Sequence, residues 1–320
     1  MHFDVFNGDA DGIVALVQLR LAEPKDSVLI TGVKRDISLL KQVNVSIASS
    51  VTVLDVSLEK NLPALNELLS AGVAVFYCDH HRTGPIPESS YLTTRINTDA
   101  NTCTSLLINQ HLRGAYVNWA IVAAFGDNME KSARALAKQQ GLSEAEQDAL
   151  SALGVYINYN GYGRSMDDLH FPPADLFKLL VQYDDPLVML AQDAGVFTQL
   201  EQAYQQDMHH ALSAKKLADN AVCQVTLLAD EAWARRISGV FGNELANNSP
   251  NKAHAVLTLN ADQSYTVSVR APLNNKQGAD HICSQFTTGG GRAAAAGINR
   301  LPFEEVDDFI AILTEYYQKS

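Results

Sequence analysis

Three short apolar runs in this chain stop at acids. Residues 3–7 lead into Gly8-Asp9-Ala10-Asp11-Gly12, residues 51–54 lead into Asp55, and residues 73–77 lead into Cys78-Asp79-His80-His81. A fourth apolar segment, 120–125, stops at Gly126-Asp127-Asn128. Carboxylates and imidazoles in this number are the ligand types of a divalent-metal site. Two such ions, sharing a carboxylate, are a standard device for activating water against a phosphate ester. Imidazole among the ligands favours Mn, Zn, Fe or Co over Mg or Ca. Asp9 and Asp11, two apart, can aim at neighbouring ions. Asp55 is placed to bridge, His80 to supply nitrogen and Asp127 to complete a second site, which leaves His81 for a phosphate oxygen. Each acid alone also has a plain reading as a turn or cap residue. Two adjacent imidazoles after a buried acid have no such structural need. The conjunction of four acid-bearing ends carries the argument.

The elements that must position these residues follow from the same runs. Short Val-rich and aromatic segments read as buried parallel strands, and open α/β sheets place their chemistry at the carboxyl ends of such strands. Strands are expected at 3–7, 28–32, 51–54, 73–77 and 91–97. Helices are expected at 13–21, 36–43, 62–71, 102–112, 118–127, 132–140 and 143–155, the last opened by a capping box at Ser143. Residues 156–173, rich in aromatics, Gly and Asn, read as a loop. A helix over 174–181 precedes a long helical connector over 187–221, with a break near 193–195. The pattern then alternates, with strands expected at 221–228, around Val240, at 253–260 and at 265–271, joined by hairpin turns. His281 falls on a short helix, and 303–317 is an amphipathic helix. This predicts an α/β fold: a parallel-sheet N-terminal domain over 1–190, a helical linker over 191–220, and a smaller α+β domain over 221–320. In the second domain, Gly289, Gly290 and Gly291 precede Arg292 and an alanine run. They read either as a flexible loop or as a backbone nest for an anion, with Arg292 as a phosphate or base contact. Arg270 is a second cation for the same cleft, or a surface residue of a hairpin.

The bulk properties narrow the substrate. The formal net charge is −12 over 320 residues, whereas proteins that grip long nucleic acid carry a basic face. The balance favours a small or short phosphorylated substrate over a long duplex. The four cysteines have no zinc-ligand spacing and read as reduced thiols. No run approaches the length of a membrane span and the start lacks a secretory pattern, so a cytoplasmic protein with no membrane partner is expected.

Taken in order, Asn7-Gly8-Asp9-Ala10-Asp11-Gly12, Leu54-Asp55-Val56-Ser57, Asp79-His80-His81 and Gly126-Asp127-Asn128 resemble the four motifs of the DHH phosphoesterases. The glycine run with Arg292, and Val267-Ser268-Val269-Arg270 upstream, resemble the DHHA1 domain that follows in many members. The resemblance implies a DHH catalytic domain with a two-manganese site (Mg2+ or Co2+ as alternatives) and a substrate-reading DHHA1 domain. It places Asn7, Asp9, Asp11, Asp55, His80 and Asp127 at metal positions. Asp55 and His81 become catalytic, and His81, Arg270, Gly289, Gly290, Gly291 and Arg292 substrate-binding. Two departures stand out. Many members carry His or Asp where this chain has Asn7, a weaker ligand, and the usual glycine motif has His where this chain has Arg292. The activity implied is hydrolysis of linear dinucleotides or very short oligonucleotides, such as pGpG or pApA, to mononucleotides by a monomer or homodimer. Alternatives are a 3′-phosphoadenosine-phosphate phosphatase, a cyclic dinucleotide hydrolase, a catalytically silent nucleotide sensor, or a scaffold with degenerate motifs that binds no metal.

Overall fold

A computed structural model describes residues 1–319. The chain divides into two compact units, Met1–Glu201 and Gln202 onward. The first unit opens with β1 (His2–Phe6), α1 (Ala10–Ala22), β2 (Val28–Ile30), β3 (Ser50–Leu54), α2 (Leu58–Ser70), β4 (Ala74–Asp79) and β5 (Leu92–Ile96). The five strands form one sheet in the order β2-β1-β3-β4-β5, parallel throughout. Seven helices follow: α3 (Thr104–His111), α4 (Val117–Gly126), α5 (Glu130–Gln139), α6 (Glu144–Asn160), α7 (Pro173–Leu180), α8 (Pro186–Gln192) and α9 (Gly195–Leu212), which runs across the division between the units.

Register is what brings the acids together. Phe6 pairs with Leu54, and Leu54 with Cys78. The next residues, Asn7, Asp55 and Asp79, therefore leave three neighbouring strands at one height, about 4.8 Å apart per strand. α1 is apolar nearly all round and buried from Ala10 to Arg20. Such a helix must be covered on all sides, and α3, α4, α6 and α7 pack around it. The opposite sheet face has its own core, in which Val5, Val53, Val75 and Tyr77 meet Leu58, Leu65 and Leu68 of α2. Glycine permits the closest approaches. A Cβ on Gly126 would lie 2.5 Å from that of Ala10 and 2.7 Å from the Gly154 carbonyl oxygen, so α4, α1 and α6 meet backbone to backbone beside Asp127.

Several expected elements differ. The helix expected at 36–43 is a single 3-10 turn, Leu40–Gln42. Asn61 of α2 takes its polar groups instead, accepting from the Leu40 N–H at 3.1 Å and donating to the Ile37 carbonyl at 2.6 Å. The expected loop at 156–173 is helical to Asn160, because fully buried Tyr159 and Ile157 anchor the last turns of α6. α3 begins only after Cys103, and Thr102 turns its carbonyl elsewhere.

The second unit contains β6 (Lys215–Asp219), β7 (Cys223–Leu228), α10 (Ala232–Asn248), β8 (Ala253–Leu259), β9 (Tyr265–Arg270), α11 (Ala279–Cys283), β10 (Gly289–Gly291), β11 (Ala295–Leu301) and α12 (Val306–Gln318). Its sheet runs β10-β11-β9-β8-β7-β6. The tail of the expected connector is a strand, β6. The strand expected around Val240 lies within α10. β7 and β8 are parallel, so a hairpin cannot join them and a helical crossover must; α10 supplies it. The glycine run is one arm of an antiparallel hairpin with β11, where Gly291 has φ +145° and a Cβ on Gly289 would lie 1.7 Å from the Cys283 carbonyl oxygen.

Candidate metal centre

The rim of the first sheet carries a group of buried titratable side chains. Ligand atoms of Asp55, His80 and His81 lie within 4.8 Å of one another, as a metal site requires. Asp55 follows β3 with φ +57°, a left-handed backbone that a non-glycine residue adopts at a cost. Its Oδ1 accepts from the Thr104 hydroxyl at 3.1 Å and lies 3.4 Å from His80 Nε2. Asp11, on the first turn of α1, is gripped by the start of α3: its two oxygens accept from the Thr104 and Ser105 N–H groups, each at 2.7 Å. Its Oδ2 lies 3.8 Å from His80 Nε2.

The tautomer of His80 is dictated by its other side. Nδ1 lies 2.9 Å from the Thr102 carbonyl. A carbonyl only accepts, so Nδ1 carries the proton. Nε2 is then the ring atom turned towards the oxygens of Asp55 and Asp11. A ring whose far nitrogen is tied to a carbonyl is the usual form of a metal-bound histidine. Among the described residues, buried Asp79 Oδ2 has no hydrogen-bond partner, which leaves further acceptor capacity at the same strand end. The donor set therefore fits a divalent ion with nitrogen and oxygen ligands.

Charge confirms the crowding. Burial pushes the Asp55 carboxyl well above the usual carboxylate range, and the Asp11 and Asp9 charges add to it. Burial also raises Asp11; Asp127 and Asp9 reinforce the effect while His80 opposes it. Asp9 goes the other way. Burial would raise it, but the Lys34 ammonium, at 2.6 Å from Oδ2, outweighs burial and holds the carboxyl low. Asp9 also caps α1, its Oδ1 accepting from the Gly12 N–H at 3.1 Å. His81 is about one-third exposed, and its Nδ1 meets Asp79 Oδ1 at 2.7 Å. Burial lowers the imidazole, but the Asp79 hydrogen bond prevails and raises it. Its Nε2 is left available to a ligand.

The remaining expected residues are placed as follows. Asn7 donates from Nδ2 to the Lys34 carbonyl at 3.2 Å and accepts on Oδ1 from the Asp9 N–H at 3.2 Å. Asp127 ends α4 and is close enough to Asp11 and Lys34 to perturb both. Arg270, Gly289, Gly290, Gly291 and Arg292 belong to the second unit. The Arg270 guanidinium spans Asn243 Oδ1 (2.6 Å), the Gly239 carbonyl (3.2 Å) and Ser268 Oγ (3.0 Å), fastening α10 to β9. Arg292 sits in the exposed turn between β10 and β11. Sequence reasoning missed Thr104, Ser105, Asn158 and Lys34. Lys34 follows the carboxyl end of β2, and the strand-end rule that found the acids also points there when bases are considered.

No family model matches the chain, and no curated protein matches it. Solved structures do. One is a DHH-domain protein described as a member of the s1p family of ribosomal proteins, at TM-score 0.66 and 14% identity over 98% of this chain and 86% of that one. It carries the DHH fold. Exonuclease RecJ bound to manganese superposes at TM-score 0.62 with 16% identity, over 100% of this chain and 90% of that one. The pGpG-specific phosphodiesterase PggH from Vibrio cholerae superposes at TM-score 0.57 with 13% identity, over 99% of both chains. The DHH fold thus spans both units, with the expected parallel-sheet domain followed by a second, mostly antiparallel one.

Proposed function

We propose that this protein is a divalent-metal-dependent phosphodiesterase that hydrolyses linear dinucleotides or very short oligonucleotides, such as pGpG or pApA, to mononucleotides. The observation that carries this reading is the convergence of His80 Nε2 with the carboxylate oxygens of Asp55 and Asp11 at the carboxyl edge of a DHH-fold sheet. Asp11, Asp55 and His80 would hold the ion, Mn2+ in the first instance. When bound, such an ion lowers the pKa of a water ligand and offsets charge developing on phosphorus oxygens. The chain's own residues do the rest. Thr104 and Ser105 fix the Asp11 carboxylate, and Thr102 fixes the His80 ring. His81, oriented by Asp79, presents Nε2 to a phosphate oxygen of the substrate. Within the second unit, Arg292 and the glycine hairpin are the groups we assign to reading substrate, whereas the Arg270 guanidinium is engaged with Asn243, Gly239 and Ser268.

Two observations support a short substrate. The net charge of −12 opposes a long polyanion, and a structural neighbour is named for pGpG. The RecJ neighbour supports a second reading, an exonuclease. Four buried thiols with no disulfide support a reducing, cytoplasmic setting, and among the described residues no helix is long and apolar enough to cross a membrane. The test is turnover with Mn2+, and separately Mg2+, of a linear dinucleotide, its cyclic form, 3′-phosphoadenosine phosphate and a single-stranded 20-mer. Mononucleotides from the linear dinucleotide are expected to dominate. Preference for the 20-mer would replace this reading with the exonuclease one.

A further inference from the structure

One cation is already built into the rim. Lys34 Nζ lies 2.6 Å from Asp9 Oδ2 and 2.9 Å from Asn158 Oδ1, and it stands 5.2 Å from the centre of the Tyr162 ring. Less than one-quarter of its side chain is exposed. Its backbone is clamped on both sides. The Lys34 N–H donates to the Gly161 carbonyl at 2.8 Å, and its carbonyl accepts from Asn7 Nδ2. The loop that carries it lies so close to the first motif that a Cβ on Gly8 would stand 1.8 Å from the Gly32 carbonyl oxygen. The lysine is therefore seated by its main chain, its neighbours and its own ammonium group.

We infer that the Lys34 ammonium permanently takes the cation position at Asp9, so that this rim recruits a single divalent ion, on the Asp11–Asp55–His80 side. The inference rests on the metal-dependent reading above and revises the expectation of two ions. It also accounts for Asn7. That position must donate to the Lys34 carbonyl and accept from the Asp9 N–H at once. An amide does both, whereas an ionised aspartate only accepts. Asn7 is thus a positioning residue, and its departure from an ionisable ligand goes together with the lysine. Asp9, with one oxygen capping α1 and the other on the ammonium, neutralises the lysine rather than a metal ion. On the other side of the rim Asp11 and Asp55 meet His80 and His81, and the demand for an external cation is concentrated there.

The experiment is Mn2+ stoichiometry on the full chain, by isothermal titration and by elemental analysis after gel filtration, with Mn2+ EPR on the same samples. Wild type is expected to hold one ion per chain with the spectrum of an isolated ion. Lys34→Met is expected to rise to two, with an exchange-coupled spectrum, and Lys34→Arg, which keeps the charge, to stay at one. Two ions in wild type would overturn the inference while leaving the metal-dependent reading intact, whether or not the variants fold. One ion in folded Lys34→Met would also overturn it. A wild type that binds no Mn2+ would overturn the metal-dependent reading itself, and the inference with it.

Discussion

The Asp4 cluster on β1 and the carboxyl edge of the first sheet carry the same kinds of residue with opposite consequences. At the amino end, buried Asp4 accepts from Arg20 Nε at 2.8 Å and from Ser27 Oγ at 2.6 Å on one oxygen and from Arg20 Nη2 on the other, with His2 Nε2 3.1 Å away, and Arg20 also reaches Thr52. Every oxygen has a donor. Burial alone would raise the Asp4 carboxyl, yet Arg20 and His2 bring it down to about 2. At the carboxyl edge, Asp55 after β3 is buried beside other acids, and its carboxyl is pushed up. A buried polar cluster that is complete contributes to stability. One left short of a cation stores repulsion until a ligand supplies the charge. The contrast, not the mere presence of buried acids, is what singles out the carboxyl edge as the candidate site.

That contrast can be broken at either end. The largest expected effect is at the complete cluster. Asp4→Asn strands the buried Arg20 and should cost about 3–5 kcal/mol, lowering the midpoint of thermal unfolding of the first unit by roughly 10 °C. Activity per folded molecule should stay the same. A melting curve superimposable on wild type would show that the cluster contributes nothing.

Next come Asp55→Asn and His80→Ala. Each should reduce Mn2+-dependent dinucleotide turnover on the order of 100-fold or more, with no loss of fold by circular dichroism. Retention of full turnover in either would remove that residue from the site. Metal binding sharpens the point. At 100 times its dissociation constant, Mn2+ should stabilise wild type by about 2.7 kcal/mol and leave His80→Ala unmoved in a thermal-shift titration.

The smallest effect is in pH. The folded-state value of Asp4, about 2, lies below the ordinary 3.8. Its contribution is therefore present in full above about pH 4 and is lost as pH falls through 4 towards 2, about 2–3 kcal/mol in total. Chemical denaturation across that window should show a steeper acid loss in wild type than in Asp4→Asn. Parallel slopes would mean that Asp4 titrates normally.

Much of this was legible in the sequence. The parallel strands, the rim acids and the Asp-His-His run follow from apolar runs that stop at acids, because strand ends leave one residue type after another at one edge. What was not legible came from long-range polar partners. Asn61 dissolved an expected helix by taking its hydrogen bonds from 21 residues away. Asn158 and Lys34, separated by 124 positions, meet only in the fold. Thr104 and Ser105 fall inside the helix expected at 102–112, and only the packing of α3 on α1 shows that their N–H groups serve Asp11. The glycine run pairs with β11 as a hairpin, and a Cβ at Gly289 or Gly291 would meet Cys283 or Ala296, a constraint that local composition does not encode.

The most direct test of the central claim is calorimetry of Asp55→Asn without and with Mn2+. If the Asp11–Asp55–His80 side of the rim is an incomplete cation site, the metal-free variant is at least as stable as metal-free wild type, since a repelled charge has been removed, and Mn2+ no longer stabilises it. A metal-free variant that is destabilised like Asp4→Asn, and that Mn2+ still rescues, would show instead that Asp55 belongs to a structural network and that the ion, if bound, is held elsewhere.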